Sequence, residues 1–228
     1  MCGRFTQSKS LAEYQDRFSF SAGPLEYAPR FNLAPGQEAL AVLTGEQGRR
    51  GEMLRWGLVP SWAKQERVGY RMINARAETV SEKPAYRGPF QRTRCLIPAD
   101  GFFEWAPAAG GKQPFFLARK DGEPFALAGL WDQWSGPEGD KLRSFTILTT
   151  QANQVVEPIH ERMPVMLSPG DEGLWLEPEA SPEALVKLLR PYAAQDMEAF
   201  AVSQRVNSAA SEGPELIEPV ALPGNLFG

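Results

Sequence analysis

Proline and glycine interrupt this sequence at short intervals, because 20 Pro and 21 Gly are spread along its 228 residues. Proline fixes φ and lacks a backbone N–H, and glycine weakens the interior of helices and strands, so both favour turns. The segments between them are mostly short and strand-like, and no Gly/Ser-rich linker divides the chain. We predict an α+β fold over residues 1–228: a single β-rich domain of mainly antiparallel strands with a few peripheral helices.

Eight segments are predicted as strands: residues 39–43, 53–58, 94–97, 102–105, 114–119, 124–131, 144–150 and 199–202. Asp121-Gly122 lies between two of these strands and is a strong signal for a β-hairpin. Residues 23–36 contain three prolines and are expected to form an irregular, extended connection. Residues 60–72 are polar and basic and are expected to form a second loop, which contains Trp62.

Three segments are predicted as helical. Residues 11–18 follow Ser8 and Ser10 and form a short helix. Ser168-Pro169 and Ser181-Pro182 each place a capping serine before a proline at the first helical position. The second of these pairs is expected to open a helix that continues through Leu189.

The composition is that of a soluble globular protein, with 43% apolar and 23% charged residues. Cys2 and Cys95 are too few for a secreted disulfide scaffold, so we expect two reduced thiols in the cytoplasm. Cys95 lies in an apolar run and is expected to be a buried core thiol. The first ten residues predict no signal peptide, and no apolar run is long enough to predict a membrane span.

Basic residues are concentrated in one part of the sequence. Residues 49–94 carry eleven basic and four acidic side chains, a net charge of +7, which leaves −11 on the rest of a chain whose total is −4. Of the 24 basic residues 17 are arginine, which contacts phosphate in a bidentate manner. This asymmetry favours a local polyanion site, although a solvated face of mixed charge has the same composition.

Cys2 is the single most informative position. Removal of Met1 is expected because the next side chain is small, and it would leave a cysteine with a free α-amine. Such a 1,2-aminothiol forms an imine with an aldehyde and then closes a five-membered thiazolidine, which no internal cysteine can do. The amine has a pKa of about 7.7–8.0, so part of it is nucleophilic near neutral pH. A chance cysteine in a frayed terminus is the alternative.

His160 and Glu104 are candidates for proton transfer. His160 is the only histidine, so a metal site is not expected, but one histidine suffices to carry a proton. It could equally be a structural residue. Glu104 lies between Phe103 and Trp105 in a strand pattern, where it either faces outward or is desolvated with a raised pKa.

Asn74, Arg76 and Glu78 alternate with alanines and would share one face of a strand. A face of amide, guanidinium and carboxylate is costly to bury without partners, so it either meets solvent or lines a site. Three tryptophans could stack on bases or belong to the core: Trp56, Trp62 and Trp105.

Six motifs in this order closely resemble the SOS response-associated peptidase family, whose members sense abasic sites. They are Met1-Cys2-Gly3-Arg4-Phe5, Trp56-Gly57-Leu58-Val59-Pro60, Ile73-Asn74-Ala75-Arg76-Ala77-Glu78-Thr79, Pro98-Ala99-Asp100-Gly101-Phe102-Phe103-Glu104-Trp105, His160-Glu161-Arg162-Met163-Pro164 and Val202-Ser203-Gln204-Arg205-Val206-Asn207. The resemblance covers residues 2 to about 220 and implies a family-type domain followed by a C-terminal tail, residues 221–228.

The resemblance implies four catalytic residues. Cys2 would form the thiazolidine with the ring-opened sugar of an abasic site, and Asn74 would hold the reacting sugar. Glu104 would assist the proton transfers of imine formation and ring closure. His160 would help to open the sugar and handle protons as the crosslink forms and reverses.

The resemblance also implies a DNA-binding set. Arg4, Arg76 and Arg162 would contact the phosphates of single-stranded DNA, and Trp62 would belong to a loop that interrupts base stacking. The loop between Trp62 and Asn74 is long for the family, which leaves the contacts of that loop open. No metal and no cofactor are implied, and one chain suffices for covalent capture, so we expect a monomer.

The expected function is therefore covalent capture of abasic sites in single-stranded DNA, which shields the lesion, with weak lyase and self-peptidase activities beside it. Two alternatives remain open at this point. One is a cysteine hydrolase with Cys2 as its N-terminal nucleophile, and the other is a non-covalent single-strand binding module. The hydrolase would explain Cys2 but would leave the basic segment without a role. The binding module would explain the basic segment but would not need a reaction at Cys2.

Overall fold

A computed structural model describes residues 2–45, 47–108 and 110–221. Its described strands are β1 (Arg4–Gln7), β2 (Arg30–Leu33), β3 (Glu38–Gly45), β4 (Gly48–Trp56), β5 (Asn74–Arg76), β6 (Arg94–Ala99), β7 (Gly101–Ala108), β8 (Gly111–Arg119), β9 (Phe125–Ser135), β10 (Lys141–Gln151), β11 (Arg162–Pro164), β12 (Met166–Leu167) and β13 (Met197–Ala201). Its described α-helices are α1 (Leu11–Phe18), α2 (Pro84–Arg92), α3 (Glu172–Leu176) and α4 (Pro182–Leu188).

The described strands form two sheets. One contains five antiparallel strands in the order β13-β8-β7-β1-β2. In the other, β4, β3, β6, β9 and β10 pair in sequence and β10 pairs back onto β4, which closes a small barrel. The β10–β4 and β10–β5 pairs are parallel, and the remaining strand pairs are antiparallel.

Alternating side chains of the barrel strands divide the core into two main layers. In β3, Ala39, Ala41 and Leu43 belong to one buried cluster, which also contains Cys2 and Cys95. Leu40 and Val42 point to the opposite face, where they pack with residues of the helices. Because successive strand residues face opposite sides, a strand that is apolar on both faces must be covered on both sides.

The helices cover the outer face of the barrel and have recognisable ends. Ser10 caps α1 with a reciprocal capping box, in which its hydroxyl accepts the Glu13 N–H and the Glu13 carboxylate accepts the Ser10 N–H. Tyr14 and Phe18 of α1 are fully buried in the outer layer. Ser181 caps α4 by accepting the N–H of Ala184.

The predicted α+β class, with mainly antiparallel strands and peripheral helices in a single domain, is confirmed. All eight predicted strands overlap a strand of the structure, and the predicted helix at residues 11–18 coincides with α1. Cys95 is fully buried, as expected for a core thiol. Trp56 is likewise a core residue, with 1% of its surface exposed.

Four local predictions were wrong. Asp121-Gly122 does not connect a hairpin, because β8 and β9 belong to different sheets, and β8 instead pairs with β7. The helix expected at Ser168-Pro169 begins only after its N-cap residue Asp171, since Ser168 hydrogen-bonds the Asp171 carboxylate in a turn that precedes the helix.

The other two errors concern where strands begin and end. Residues 23–36 are not wholly irregular, because they contain β2, which adds to the free edge of β1. The strand that contains Asn74 and Arg76 ends at Arg76, and a 3-10 turn follows over Ala77–Thr79. Glu78 therefore does not share a strand face with Asn74.

The loop predicted for residues 60–72 contains a 3-10 helix, Glu66–Arg71. The predicted C-terminal tail lies outside the described residues except for Ala221. None of the helices in the described residues has the length and hydrophobicity required to span a bilayer.

Candidate functional site

Cys2 lies just before β1 and is fully buried. The antiparallel register pairs Arg4 with Phe103, and one further step along β1 and β7 sets Gly3 opposite Glu104. Cys2 is thus close to the buried carboxyl of β7. Burial raises the pKa of the Cys2 thiol above its ordinary range, and the negative charge of Glu104 raises it further. The protonated thiol is therefore the favoured form.

Asn74 contacts Cys2 directly. Its side-chain Nδ2–H donates to the Cys2 carbonyl oxygen at 2.7 Å. Parallel pairing of β5 with β10 sets Asn74 opposite Ile147, and Ile147 N–H donates to the carbonyl oxygen of Ile73. Asn74 Oδ1 is buried and accepts no hydrogen bond from any described residue, so it can accept one from a bound molecule.

Glu104 is desolvated, which decides between the two alternatives that the sequence left open. Only 3% of its surface is exposed, and burial raises the pKa of its carboxyl while the charge of His160 opposes that rise. A carboxyl with a raised pKa can both accept and donate a proton near neutral pH. Glu104 and His160 line the same cavity, of about 870 Å³.

His160 is half-buried and follows the turns of residues 154–159. Its Nδ1 lies 2.9 Å from the Arg162 backbone nitrogen and 3.1 Å from the Arg162 carbonyl oxygen. A backbone N–H can only donate, so Nδ1 accepts from Arg162, and the neutral tautomer compatible with this contact is the one with its proton on Nε2. The contact therefore orients the ring of His160 through Nδ1.

Arg4 lies within a network of structural hydrogen bonds. Its Nη1 donates to Asn32 Oδ1 and to the Val206 carbonyl oxygen, both at 2.8 Å. Asn32 is fully buried, and its Nδ2 donates to the carbonyl oxygens of Ser208 and Ser211 at 2.9 and 3.0 Å. Arg4 and Asn32 therefore fasten the segment around residues 206–211 to β1 and β2.

Arg162 and Arg76 have different surroundings. Arg162 is 8% exposed, and its two Nη groups donate to the Glu78 carboxylate at 2.7 and 2.9 Å and to the Thr149 carbonyl oxygen at 2.7 Å. Arg76 is exposed and lines a second cavity, of about 540 Å³, together with Gln151 and Arg162. Of these two arginines, Arg76 is the one accessible to an anion in solution.

Trp62 is 64% exposed and lines neither of these two cavities. Tyr70, 68% exposed, and Val68, 37% exposed, lie in the same stretch between β4 and β5. The structure thus brings Cys2 and Asn74 together and sets Glu104 and His160 in one cavity. It leaves Trp62 on a separate, exposed apolar segment.

The cavity beside Glu104 is also lined by polar residues that were not among the predicted site residues: Lys112, Gln113, Gln204 and Asn207. Gln204 and Asn207 belong to one of the motifs that carry the family resemblance, which was the available signal for them. Lys112 and Gln113 carried no such signal. Within the described ranges, no three His, Cys, Asp or Glu side chains converge to hold a metal ion.

The chain combines a closed β-barrel with an attached five-stranded sheet, and its buried Cys2 lies beside Asn74 and Glu104. This fold and this site can now be compared with known protein families. The model of the family described as SOS response associated peptidase (SRAP) matches residues 1–209. The chain belongs to this family.

Relatives and solved structures agree with that assignment. The chain is 46% identical to the abasic site processing protein YoqW of Bacillus subtilis, over 96% of this chain and 99% of the relative. It is 32% identical to the abasic site processing protein HMCES of Gallus gallus, over 97% of this chain and 79% of the relative. A crystal structure of a Bacteroides thetaiotaomicron protein superposes with a TM-score of 0.89 at 25% identity, covering 96% of this chain and all of that one.

Proposed function

We propose that this protein processes abasic sites in DNA by capturing them covalently through Cys2 in single-stranded DNA. The observation that carries the proposal is the direct contact between Asn74 Nδ2 and the Cys2 carbonyl oxygen, beside the buried carboxyl of Glu104. The printed names of the relatives, abasic site processing proteins, support the same substrate. Release of Met1 by self-processing would supply the free amine.

The reaction needs no oxidant, reductant or cofactor. The Cys2 amine adds to the aldehyde carbon of the ring-opened sugar, and loss of one water gives an imine. The Cys2 sulfur then adds to the same carbon while the thiol proton passes to the nitrogen, which closes the thiazolidine. The net products are one thiazolidine and one water, so atoms and electrons balance.

The chain's own groups fit these proton transfers. A thiol whose pKa is raised by burial stays protonated, so the amine is the first nucleophile and the thiol follows within the imine. Glu104, whose pKa is also raised, would accept the thiol proton and return it to nitrogen. His160 would use Nε2 to protonate or deprotonate the sugar oxygen during ring opening. Asn74 Oδ1 would accept a hydrogen bond from the sugar.

Binding of the strand would be independent of base sequence. Arg76 is exposed and would contact phosphate, Arg4 would do so from a half-buried position and Arg162 from a buried one. Trp62 would contact bases from its exposed segment. We extend the proposal to a cytoplasmic, nucleoid-associated monomer, with weak β-elimination at the imine as a side reaction.

The raised pKa of the Cys2 thiol disfavours the cysteine hydrolase, because a nucleophilic hydrolase needs a thiolate and the Cys2 thiolate is destabilised by burial and by Glu104. In a non-covalent binding module, neither the buried Cys2 nor its hydrogen bond from Asn74 would have a role in binding DNA. Both alternatives remain distinguishable by experiment.

The test mixes protein whose intact mass shows the loss of Met1 with single-stranded DNA that contains one abasic site, followed by a denaturing gel. A shifted band is expected for the wild type and for Cys95→Ala, which removes the other buried thiol. No band is expected for Cys2→Ala. A band that survives Cys2→Ala or acetylation of the amine refutes the proposal, and turnover of peptide amides without a band favours the hydrolase.

A further inference from the structure

His160 lies on a loop between two paired strands. Residues 152–161, which we name the histidine loop, connect β10 to β11. The backbone N–H of Ala152 donates to the Glu161 carbonyl oxygen at 3.1 Å, which closes the base of the histidine loop. His160 is the residue just inside this base, so the position of its ring depends on how the rest of the loop is held.

Asn153 orders the start of the histidine loop. Its Oδ1 accepts the backbone N–H groups of Val155 and Val156, both at 3.1 Å. Its carbonyl oxygen accepts the N–H of Glu157 at 2.9 Å, as in the first turn of a capped helix. Val156 in turn holds His160, because its carbonyl oxygen accepts the His160 N–H at 2.9 Å. Two successive contacts therefore connect the Asn153 amide to the backbone of His160.

The nitrogen of the same amide fastens the histidine loop to a neighbouring part of the chain. Asn153 Nδ2 donates to the Tyr192 carbonyl oxygen at 2.8 Å and contacts the sulfur of Met197, the first residue of β13, at 3.2 Å. Only one orientation of the amide fits, because the reverse would set its NH2 group against the N–H groups of Val155 and Val156. Asn153 therefore joins the histidine loop to β13.

Apolar packing supports the histidine loop only in part. Val156 and Ile159 are buried in the inner layer of the core. Beside them is a cavity of about 400 Å³, whose lining includes Val155, Pro158, Ile159, Met197 and Ala199. A side chain that borders a cavity has no partner atoms on that side, so it constrains the loop less than a close-packed side chain would. The hydrogen bonds of Asn153 therefore carry more of the task of fixing His160.

We propose that Asn153 is a positioning residue for His160. This inference rests on the proposed function and adds how the chain orients its only histidine for the reaction. Asn153 lines neither the cavity that contains Glu104 and His160 nor the cavity that contains Arg76. Its substitution should therefore slow the chemical steps and leave strand binding unchanged.

The first experiment measures the crosslinking rate over a range of DNA concentrations. Asn153→Ala removes every contact of the amide. Asn153→Asp keeps an oxygen for the N–H groups of the loop but turns the donor to Tyr192 into an acceptor, so it should lie between Asn153→Ala and wild type. Ser181→Ala is the matched control, because Ser181 caps α4, a helix of the outer layer, by accepting the N–H of Ala184.

Asn153→Ala should lower the rate at saturating DNA by roughly 10- to 100-fold, with the half-saturating concentration unchanged, because a misplaced proton-transfer group loses part of its contribution. Ser181→Ala should keep the wild-type rate. In the His160→Gln background, Asn153→Ala should cause little further loss, since the effects of residues that act through one another are not additive.

The second experiment observes His160 directly. Because the chain has one histidine, ¹⁵N NMR of untagged protein labelled at histidine reports this ring alone. At a pH where the ring is neutral, the wild type should show the tautomer protonated on Nε2, as the contact with the Arg162 N–H requires. Asn153→Ala should move both ¹⁵N shifts toward the average of the two tautomers, and Asn153→Asp should move them less.

Several outcomes overturn the inference while leaving the proposed function intact. They are a wild-type rate in folded Asn153→Ala, an equal loss of rate with and without His160, and a lowered rate with unchanged His160 shifts. If Asn153→Ala does not fold, Asn153→Asp decides, and a wild-type rate or wild-type shifts in that variant overturn the inference. A wild type that crosslinks no substrate refutes the proposed function, and the ¹⁵N shifts then still show whether Asn153 orients His160.

Discussion

Glu104→Gln should make the protein more stable and less active at the same time. Burial raises the pKa of Glu104 above its ordinary value of 4.5, so the folded protein retains this proton over a pH range in which the unfolded chain has released it. The unfolded state then binds fewer protons, and stability falls as pH rises, by about 1.4 kcal/mol per pH unit within that range. Glutamine cannot ionise and avoids this loss.

The effect depends on pH in a way that identifies its cause. Below about pH 4.5 both states of the wild type are protonated at Glu104, and the variant should gain nothing. As pH rises toward the raised folded pKa, the wild type loses stability that the variant keeps, so Glu104→Gln should be more stable than wild type at pH 8. Urea denaturation of both proteins at matched pH values between 4 and 8 measures the difference.

Glu13→Gln is the matched control with the opposite sign. Hydrogen bonds from Ser10 lower the pKa of Glu13, so its contribution to stability is present above its unfolded pKa and is lost as pH falls through the folded pKa. Glu13→Gln should therefore be less stable than wild type at pH 8, and the difference should shrink in acid. If Glu104→Gln is also less stable at pH 8, or if its difference from wild type does not change with pH, the reasoning from burial is wrong.

The same substitution should slow crosslinking by roughly 10²–10⁴-fold, the usual contribution of a general acid–base group. Rates would be followed on denaturing gels at saturating DNA, so that weaker binding does not contribute. A variant that is more stable but reacts more slowly is expected if the buried Glu104 carboxyl costs stability and contributes to the reaction. Unchanged rates would remove Glu104 from the proton transfers.

Three further results are expected. Asn32→Ala removes the donor to the Ser208 and Ser211 carbonyl oxygens and one of the acceptors of Arg4, so it should cost about 3 kcal/mol and lower Tm by roughly 6–12 °C in calorimetry; an unchanged Tm would mean that the segment it fastens carries no stability. Gly101→Ala builds a Cβ 2.0 Å from the Phe116 ring and should cost about 1–3 kcal/mol in urea denaturation, which a neutral result would contradict. Arg76→Ala should weaken strand binding and reduce its salt dependence with Tm unchanged, and a binding loss insensitive to salt would argue against a phosphate contact.

The strands were predictable because their apolar patterns are local. Residues 39–43 are apolar on both faces, which a strand inside a closed barrel requires, and the structure covers both faces. Ser10 and Ser181 marked helix starts because a capping hydroxyl acts within three residues. Ser168 failed by the same logic, since its hydroxyl bonds the side chain of Asp171 instead of a helical N–H.

The pairing of strands was less predictable, because it depends on distant residues. Asp121-Gly122 does form a turn, and Gly122 has the positive φ of 71° that such a turn favours. The strand before it, however, places Phe116 and Ala118 against Val202 and Val206, and so joins β7 and β13 in the smaller sheet. The strand after it completes the barrel. Local turn chemistry therefore cannot tell a hairpin from a crossing between sheets.

The candidates for chemistry in the site are visible in the sequence because they depend on residue type, whereas most of the other residues that line its cavity are not. A cysteine after the initiator methionine and a carboxyl between two aromatic residues stand out in a sequence. Gln204 and Asn207 have ordinary surface chemistry, so only their motif marks them in the sequence. Their place in the cavity depends on folding, which brings Asn207 to Trp105, about a hundred residues earlier, and Gln204 to Asn207.

The arginines show why residue type alone is insufficient at this site. Arg4 and Arg162 were both assigned to phosphate, yet each stabilises an element that carries a proposed site residue. Arg4 connects the strand after Cys2 to the turn at residues 204–207, and Arg162 connects the segment after His160 to Glu78, four residues beyond Asn74. A phosphate would have to compete with the Glu78 carboxylate for the Arg162 guanidinium. If the proposed function is right, Arg4 and Arg162 must both hold these elements in place and attract the strand, whereas Arg76 is exposed and can contact a phosphate without giving up a structural hydrogen bond to the described residues.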